Sequence, residues 1–329
     1  MRQEQFEREN SEFWRELEQF ISNLERPRYK RVVNRQGSLD FPSCYRKICS
    51  HYALARSRSF SPALLERLHN LVLRGHPHLY RQQTAWGWRM MHFILLDFPR
   101  AFRQHSAYFW LALLVFLFPA LVLGVGCFQD GDLIYSIMDE QQVASMESMY
   151  DPANRQPGRS VERGSETNFM MFGYYIMNNI GIGFRTFAGG ILLGVGTLFL
   201  LLFNGIVLGG VAGHLTRQGY QDTFWPFVSG HGAFELTAIV ICGAAGLMLG
   251  HAILAPGQRT RVMALKQQAS AALQLVMGAA LMLLVAAFIE AFWSSSNLAA
   301  GIKYSVAALF WCLVALYLGW MGRSPRGSR

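Results

Sequence analysis

Over residues 4–24, Phe6, Phe13, Trp14, Leu17, Phe20, Ile21 and Leu24 recur at three- and four-residue steps among charged positions. That spacing predicts an amphipathic helix with one buried face, which Pro27 ends. A second helix is expected over 42–58. A third should begin at Pro62, a residue suited to a first helical turn, and run to about Arg74. A fourth segment, 79–98, is aromatic-rich and carries Trp86 and Trp88. Together these read as a small helical bundle whose last helix lies on a membrane surface.

Beyond residue 105 the alternation gives way to long apolar runs. Residues 106–127, 187–213, 232–254, 270–291 and 302–321 are each long enough to cross ~30 Å of hydrocarbon at ~1.5 Å per residue. The first, second and last contain no acidic residue. Between 128 and 166 lies a polar loop with eight Asp/Glu against three Arg, broken by Pro152, Pro157 and Gly158. The expected fold is all-α: a polytopic transmembrane helical bundle with five clear spans, plus a sixth crossing or re-entrant element. The expected domains are 1–105, a basic cytoplasmic helical domain; 106–321, the transmembrane domain with an acidic extracytoplasmic loop at 128–166; and 322–329, a basic tail.

The sixth element follows from charge. With the N-terminus inside, five spans would put Arg259, Arg261 and Lys266 outside, together with Arg323, Arg326 and Arg329 of the tail. Both placements break the positive-inside rule. Residues 167–184 are uncharged between Glu166 and Arg185, and a crossing there repairs both. Asn178 and Asn179 would be costly facing lipid, so an interfacial helix competes, as does a re-entrant hairpin within 187–213 around Asn204-Gly205.

Composition narrows the class. Of 329 residues, 52% are hydrophobic, and a wholly soluble enzyme is excluded. Residues 1–105 hold 18 Lys/Arg against 10 Asp/Glu, an excess that accounts for all but one of the net +9. No apolar stretch follows Met1, so a signal peptide is not expected and the N-terminal domain should stay in the cytoplasm. Its basic excess fits anionic lipid headgroups, at ~1 kcal/mol per basic residue near the surface, better than nucleic acid, which is not an expected partner. Cys44, Cys49, Cys127, Cys242 and Cys312 form no C-x-x-C, so neither a zinc site nor a disulfide framework is signalled.

Glycines mark where helices should pack. Gly205, Gly209 and Gly213 form two successive G-x-x-x-G steps, and Gly190–Gly194 and Gly246–Gly250 form one each. Close backbone approach at small residues drives packing in lipid, here read as intramolecular in preference to a homo-oligomer contact. Ionisable groups within spans are functional candidates because of their cost. His231 and Glu235 stand four apart on one helix face; Glu290 lies near the end of the fourth span, Lys303 opens the fifth and His214 closes the second. Sequential antiparallel spans bring all five toward one membrane face. They would lock helix ends together, line a polar path for protons or a small solute, or bind a metal that activates water. H-G-x-x-E is not the H-E-x-x-H spacing of the last case, so no metal, no catalytic residue and no cofactor is expected. A Walker A loop and a G-x-S-x-G elbow are absent from the sequence.

The sequence resembles the stage II sporulation protein M family of bacterial integral membrane proteins. The resemblance rests on NNIGIGFRTFAGGILLGVGTLFLLLFNGIVLGG (178–210), SGHGAFELTAIVICGAAGLMLG (229–250) and AAFIEAF (286–292), with LHNLVLRGHPHLY (68–80) and FPRAFR (98–103) upstream. Its motif polar residues here are Asn178, Asn179, Arg185 and Asn204. Many members carry proline before the motif histidine, where this chain has Gly230. The resemblance implies a multi-pass protein of the bacterial cytoplasmic (inner) membrane, and the charge distribution described above puts both termini in the cytoplasm. The resemblance also implies a non-enzymatic scaffold or assembly factor whose partners are cell-wall enzymes or a MoxR-type AAA+ ATPase. A transporter or permease-like subunit, its path lined by His231, Glu235 and Glu290, is the alternative.

Overall fold

The computed structural model describes residues 3–25, 40–153 and 165–323, without the side chains of 78–85 and 165–167. Pro27, Pro157, Gly158, Arg326 and Arg329 therefore lie outside the described residues. The chain divides into two compact units, Met1–His92 and Phe93–Arg329, so residues 93–105 belong with the second.

The first unit comprises α1 (Gln3–Glu25), α2 (Phe41–Ser57) and α3 (Pro62–His92). The amphipathic spacing becomes its core: Phe6, Trp14, Leu17 and Ile21 of α1 pack on Phe41, Ile48 and Ala55 of α2 and on Leu64, Leu68 and Leu71 of α3. Trp14 is fully buried, and its indole Nε1 donates to His51 Nδ1 at 3.0 Å. The segment expected at 62–74 and most of that expected at 79–98 are one helix that continues through Pro77 and ends at His92. A proline removes a single backbone hydrogen bond and crowds the carbonyl four residues earlier. Here that loss interrupts neither flank. Arg74 forks onto Glu25 at 3.0 and 2.9 Å, a partly exposed pair contributing ~0–1 kcal/mol.

His51 makes this unit pH-sensitive. Burial, and secondarily the Lys47 charge, hold its imidazole below the ordinary histidine value of 6.5. The unfolded chain therefore takes up a proton at a pH where the folded unit does not, and a protonated Nδ1 cannot accept from Trp14. Stability is fully present above about pH 6.5 and falls as pH drops through that value toward the lower folded one. The melting temperature of the unit should be lower at pH 5.5 than at pH 7.5, and His51→Gln should shrink the difference.

The second unit opens with a π-helical turn, Phe93–Asp97, and a short helix α4 (Phe98–Gln104). Among the described residues, five long apolar helices follow: α5 (Ser106–Gln129), α8 (Val195–Arg217), α9 (Gln221–Leu254), α10 (Arg261–Phe288, extended by a π-helical turn Ile289–Ser294) and α11 (Ala300–Trp320). α9 is the axis, with 78% of its most apolar stretch buried, against 28% for α5 and 22% for α11. It touches α5, α7 (Ser165–Ala188), α8, α10 and α11. The loop expected at 128–166 contains a 3-10 turn (Gly131–Ser136) and a short helix α6 (Glu140–Tyr150), started by a reciprocal Asp139–Gln142 cap.

α5 and α8 run parallel, zipped by glycine. A Cβ at Gly205, Gly209 or Gly213 would stand 2.2, 2.0 or 2.1 Å from the carbonyl oxygens of Phe116, Ala120 and Gly124. Likewise a Cβ at Gly190 would meet the Gly246 carbonyl oxygen at 2.1 Å, and one at Gly250 would meet the Gly194 Cα at 2.5 Å. These glycines pack within one chain.

The register of α7 settles its course. Phe169 and Phe172 pack edge-on against Phe292 and Phe288, Asn179 reaches Glu290, Gly183 faces Cys242 and Gly190 faces Gly246. α7 thus runs parallel to α9 from the far end of α10 to beside Gly246, and its 24 residues span ~36 Å at ~1.5 Å each. It is the sixth pass of the bundle. The span expected at 187–213 is accordingly corrected: residues 189–194 are a tight reversal between α7 and α8, with Leu193 at φ 55° and Gly194 at φ 82°, and α8 begins at Val195. Every residue of that reversal is apolar or glycine, so hydropathy alone cannot see the break.

Six passes return the chain to its starting end. Arg103 Nη1 donates to the carbonyls of Leu318 and Met321 at 3.0 and 2.7 Å, Arg100 Nε to that of Gly322 at 2.7 Å, and Tyr317 Oη to that of Ile94 at 2.5 Å. Reporter fusions after residue 323 and within 128–166 should therefore report opposite sides of the membrane. Reporters on one side would contradict this course.

Candidate functional site

At the end of the bundle where α10 finishes, three titratable side chains converge. α9 places His231 and Glu235 one turn apart, and the π-helical turn Ile289–Ser294 carries Glu290. A π-turn adds a residue to the helical register and is frequent at functional sites. Here it presents both Glu290 and Ser294 to α9. The donor atoms of His231, Glu235 and Glu290 lie within 4.8 Å of one another. His231 Nδ1 meets Ser294 Oγ at 3.0 Å, leaving Nε2 turned to Glu235 Oε2 at 4.0 Å. Asn179 Nδ2 donates to Glu290 Oε2 at 3.4 Å, and Asn178 donates to Asn179 at 3.1 Å. Asn179 thus turns α7's polarity inward, being buried, whereas Asn178 is exposed. Glu235 Oε2 is buried without a hydrogen-bond partner.

A cavity of about 240 Å³ opens beside the cluster, lined by His231, Glu235, Asn204 and Tyr150 among apolar side chains of α5, α7, α8 and α9. Asn204 itself donates back to the Leu200 carbonyl. Tyr150 closes the site from α6. Its ring packs on Phe224 and Phe227 at 5.2 and 5.8 Å, and Thr223 Oγ1 bonds its carbonyl. Burial, then the charges of Glu290 and Glu235 and the neighbouring Tyr175, push the Tyr150 hydroxyl well above the usual phenol range, so it stays protonated.

The other residues expected in this cluster separate. Lys303 is buried, and its Nζ donates to the Ser294 carbonyl at 2.7 Å, so it joins through the π-turn. His214 sits apart. It pairs with Glu147 of α6 at 2.8 Å and lines a different cavity with Asp130 and Arg217. Arg185 is exposed and bonds the Gly181 carbonyl of its own helix. Sequence reasoning missed Glu147, Tyr150 and Ser294. The polar loop and the serine run carry no signal of their own, because each partner is more than sixty residues away along the chain.

Comparison with known proteins adds two findings. A model of a domain of unknown function, DUF8413, matches residues 4–81, and the stage II sporulation protein M model matches residues 93–295. Neither the curated proteins nor the solved structures yield a match. The second model spans more than half of the chain, including α4 to the π-turn that carries Glu290, so the chain belongs to the stage II sporulation protein M family.

Proposed function

We propose that this chain is a non-enzymatic membrane platform of a bacterial envelope-associated complex, seated in the inner membrane with both termini in the cytoplasm. The observation that carries this reading is the pairing of two differently built units in one chain. One is a charged three-helix unit with a complete core of its own. The other is a multi-pass bundle whose helices are zipped by glycines against backbone carbonyls. The basic first unit suits the cytoplasmic face. Exposed Trp86 and Trp88 on α3 are the surface through which it would meet lipid headgroups or a soluble partner.

A second reading, a transporter or permease-like subunit, is favoured by one specific feature: Glu235, with an unpartnered buried oxygen, lines a cavity together with His231 and Asn204. The two readings part in a crosslinking and mass-spectrometry experiment on protein purified from native membranes. A platform should recover an AAA+ ATPase or a cell-wall enzyme at near-equal stoichiometry, and should lose it when residues 1–92 are removed. Recovery of the chain alone, in good yield and native lipid, would discard the platform and move the work to solute flux.

A further inference from the structure

We propose that His231, Glu235 and Glu290 form a binding site for a divalent first-row transition-metal ion. The donor set, one imidazole nitrogen and two carboxylates, suits such ions. Neighbouring ligand atoms of a tetrahedral ion bonded at ~2.0–2.2 Å stand ~3.3–3.6 Å apart. The three donor atoms lie within 4.8 Å of one another, with His231 Nε2 4.0 Å from Glu235 Oε2, so side-chain rotations that draw the donors in by about an ångström close the set.

Three further observations point to the same ligand. First, the supporting bonds are those a metal site requires. Metal-bound histidines are held by a hydrogen bond at the other ring nitrogen, and ligating carboxylates are themselves hydrogen-bonded. Ser294 occupies His231 Nδ1 and leaves Nε2 for an ion, and Asn179 orients Glu290. Second, Glu235 Oε2 is buried and accepts no hydrogen bond, and a buried carboxylate oxygen without a donor is costly unless a cation meets it. Lys303 brings one positive charge to the Ser294 carbonyl, against two carboxylates. Third, the cavity of about 240 Å³ bordered by His231 and Glu235 leaves room for water or a ligand group to complete the coordination sphere. The H-G-x-x-E spacing hides this site from motif reasoning, because the third ligand arrives from a π-turn 55 residues after Glu235.

The full chain, purified into lipid nanodiscs and stripped with a chelator, is titrated with Zn²⁺ and with Co²⁺ as a spectroscopic probe. The expected result is one ion per chain, with a cobalt absorption band and a raised melting temperature. Glu235→Gln combined with Glu290→Gln should abolish the band in a protein that remains monodisperse. Ser294→Ala should weaken affinity by ~10–100-fold, and His214→Gln should change nothing. A wild-type chain that takes up neither ion, its carboxylates then sharing protons, overturns the proposal. So does a folded double variant that binds like the wild type. Where the double variant does not fold, X-ray absorption on the cobalt-loaded wild type decides. A shell of one imidazole with oxygens supports the site, whereas two or more imidazoles overturn it, because the cluster contains a single histidine.

Discussion

Gly209→Val is expected to abolish the folded bundle, with little monodisperse protein recovered after detergent extraction. The reason is local. A Cβ at Gly209 would lie 2.0 Å from the Ala120 carbonyl oxygen, and also 2.7 Å from both its carbon and Cα. The obstacle is backbone, which cannot rotate away as a side chain would. α5 and α8 must therefore move apart, and the same zipper is held one turn away on each side by Gly205 against Phe116 and by Gly213 against Gly124. In lipid no hydrophobic force restores the lost contact. Overpacking that ordinarily costs ~1–3 kcal/mol is here spread over three contacts, and a loss of ~3 kcal/mol or more is expected. Gly173→Ala is the control: a Cβ there meets nothing within 4 Å. Thermal melting of the purified variants checks both. A Gly209→Val protein that melts like the wild type would mean that the α5–α8 contact is not made.

Much of this architecture is legible in the sequence, for identifiable reasons. Apolar runs bounded by charge mark α5 and α11 within a few residues, because the cost of charge in hydrocarbon leaves a plain trace; they also mark α9 and α10, whose helices begin about ten residues before the expected spans. α7 is too polar to be found that way, yet the positive-inside argument demands it. The structure shows why its polarity is tolerated: Asn179 is turned toward Glu290. The break at 189–194 leaves no trace in hydropathy. Its signal is conformational, a left-handed Gly194 seated against Gly250, and the glycines that mark it read equally well as packing residues. The functional cluster is half visible. His231 and Glu235 share a helix face by spacing alone, and Glu290 joins from the expected membrane side. His214 groups with them on the same grounds, which place residues at one level without deciding their neighbours. At that level α6 intervenes, and Glu147 takes His214.

Trp14→Ala is expected to unfold the first unit. The side chain is fully buried in α1, between Phe6 at 5.5 Å and His51 at 6.1 Å, ring centre to ring centre. Truncating a buried tryptophan costs ~3–5 kcal/mol through lost contacts and the cavity left behind. His51 Nδ1 also loses its donor, adding ~1 kcal/mol. Against this, a unit of this size has a net stability of ~5–14 kcal/mol at ~0.05–0.15 kcal/mol per residue, so at the lower end nothing remains. Trp14→Phe separates the two terms, since it keeps most of the ring volume and removes only the indole donor; it should cost less, and should keep the part of the pH dependence that burial and Lys47 give His51. Trp86→Ala and Trp88→Ala, at residues 67% and 72% exposed, should leave stability within ~0.5 kcal/mol. Limited proteolysis of the full chain reads all four. Rapid cleavage within α1–α3 is expected for Trp14→Ala alone, and equal resistance of Trp14→Ala and Trp86→Ala would remove Trp14 from the centre of the core.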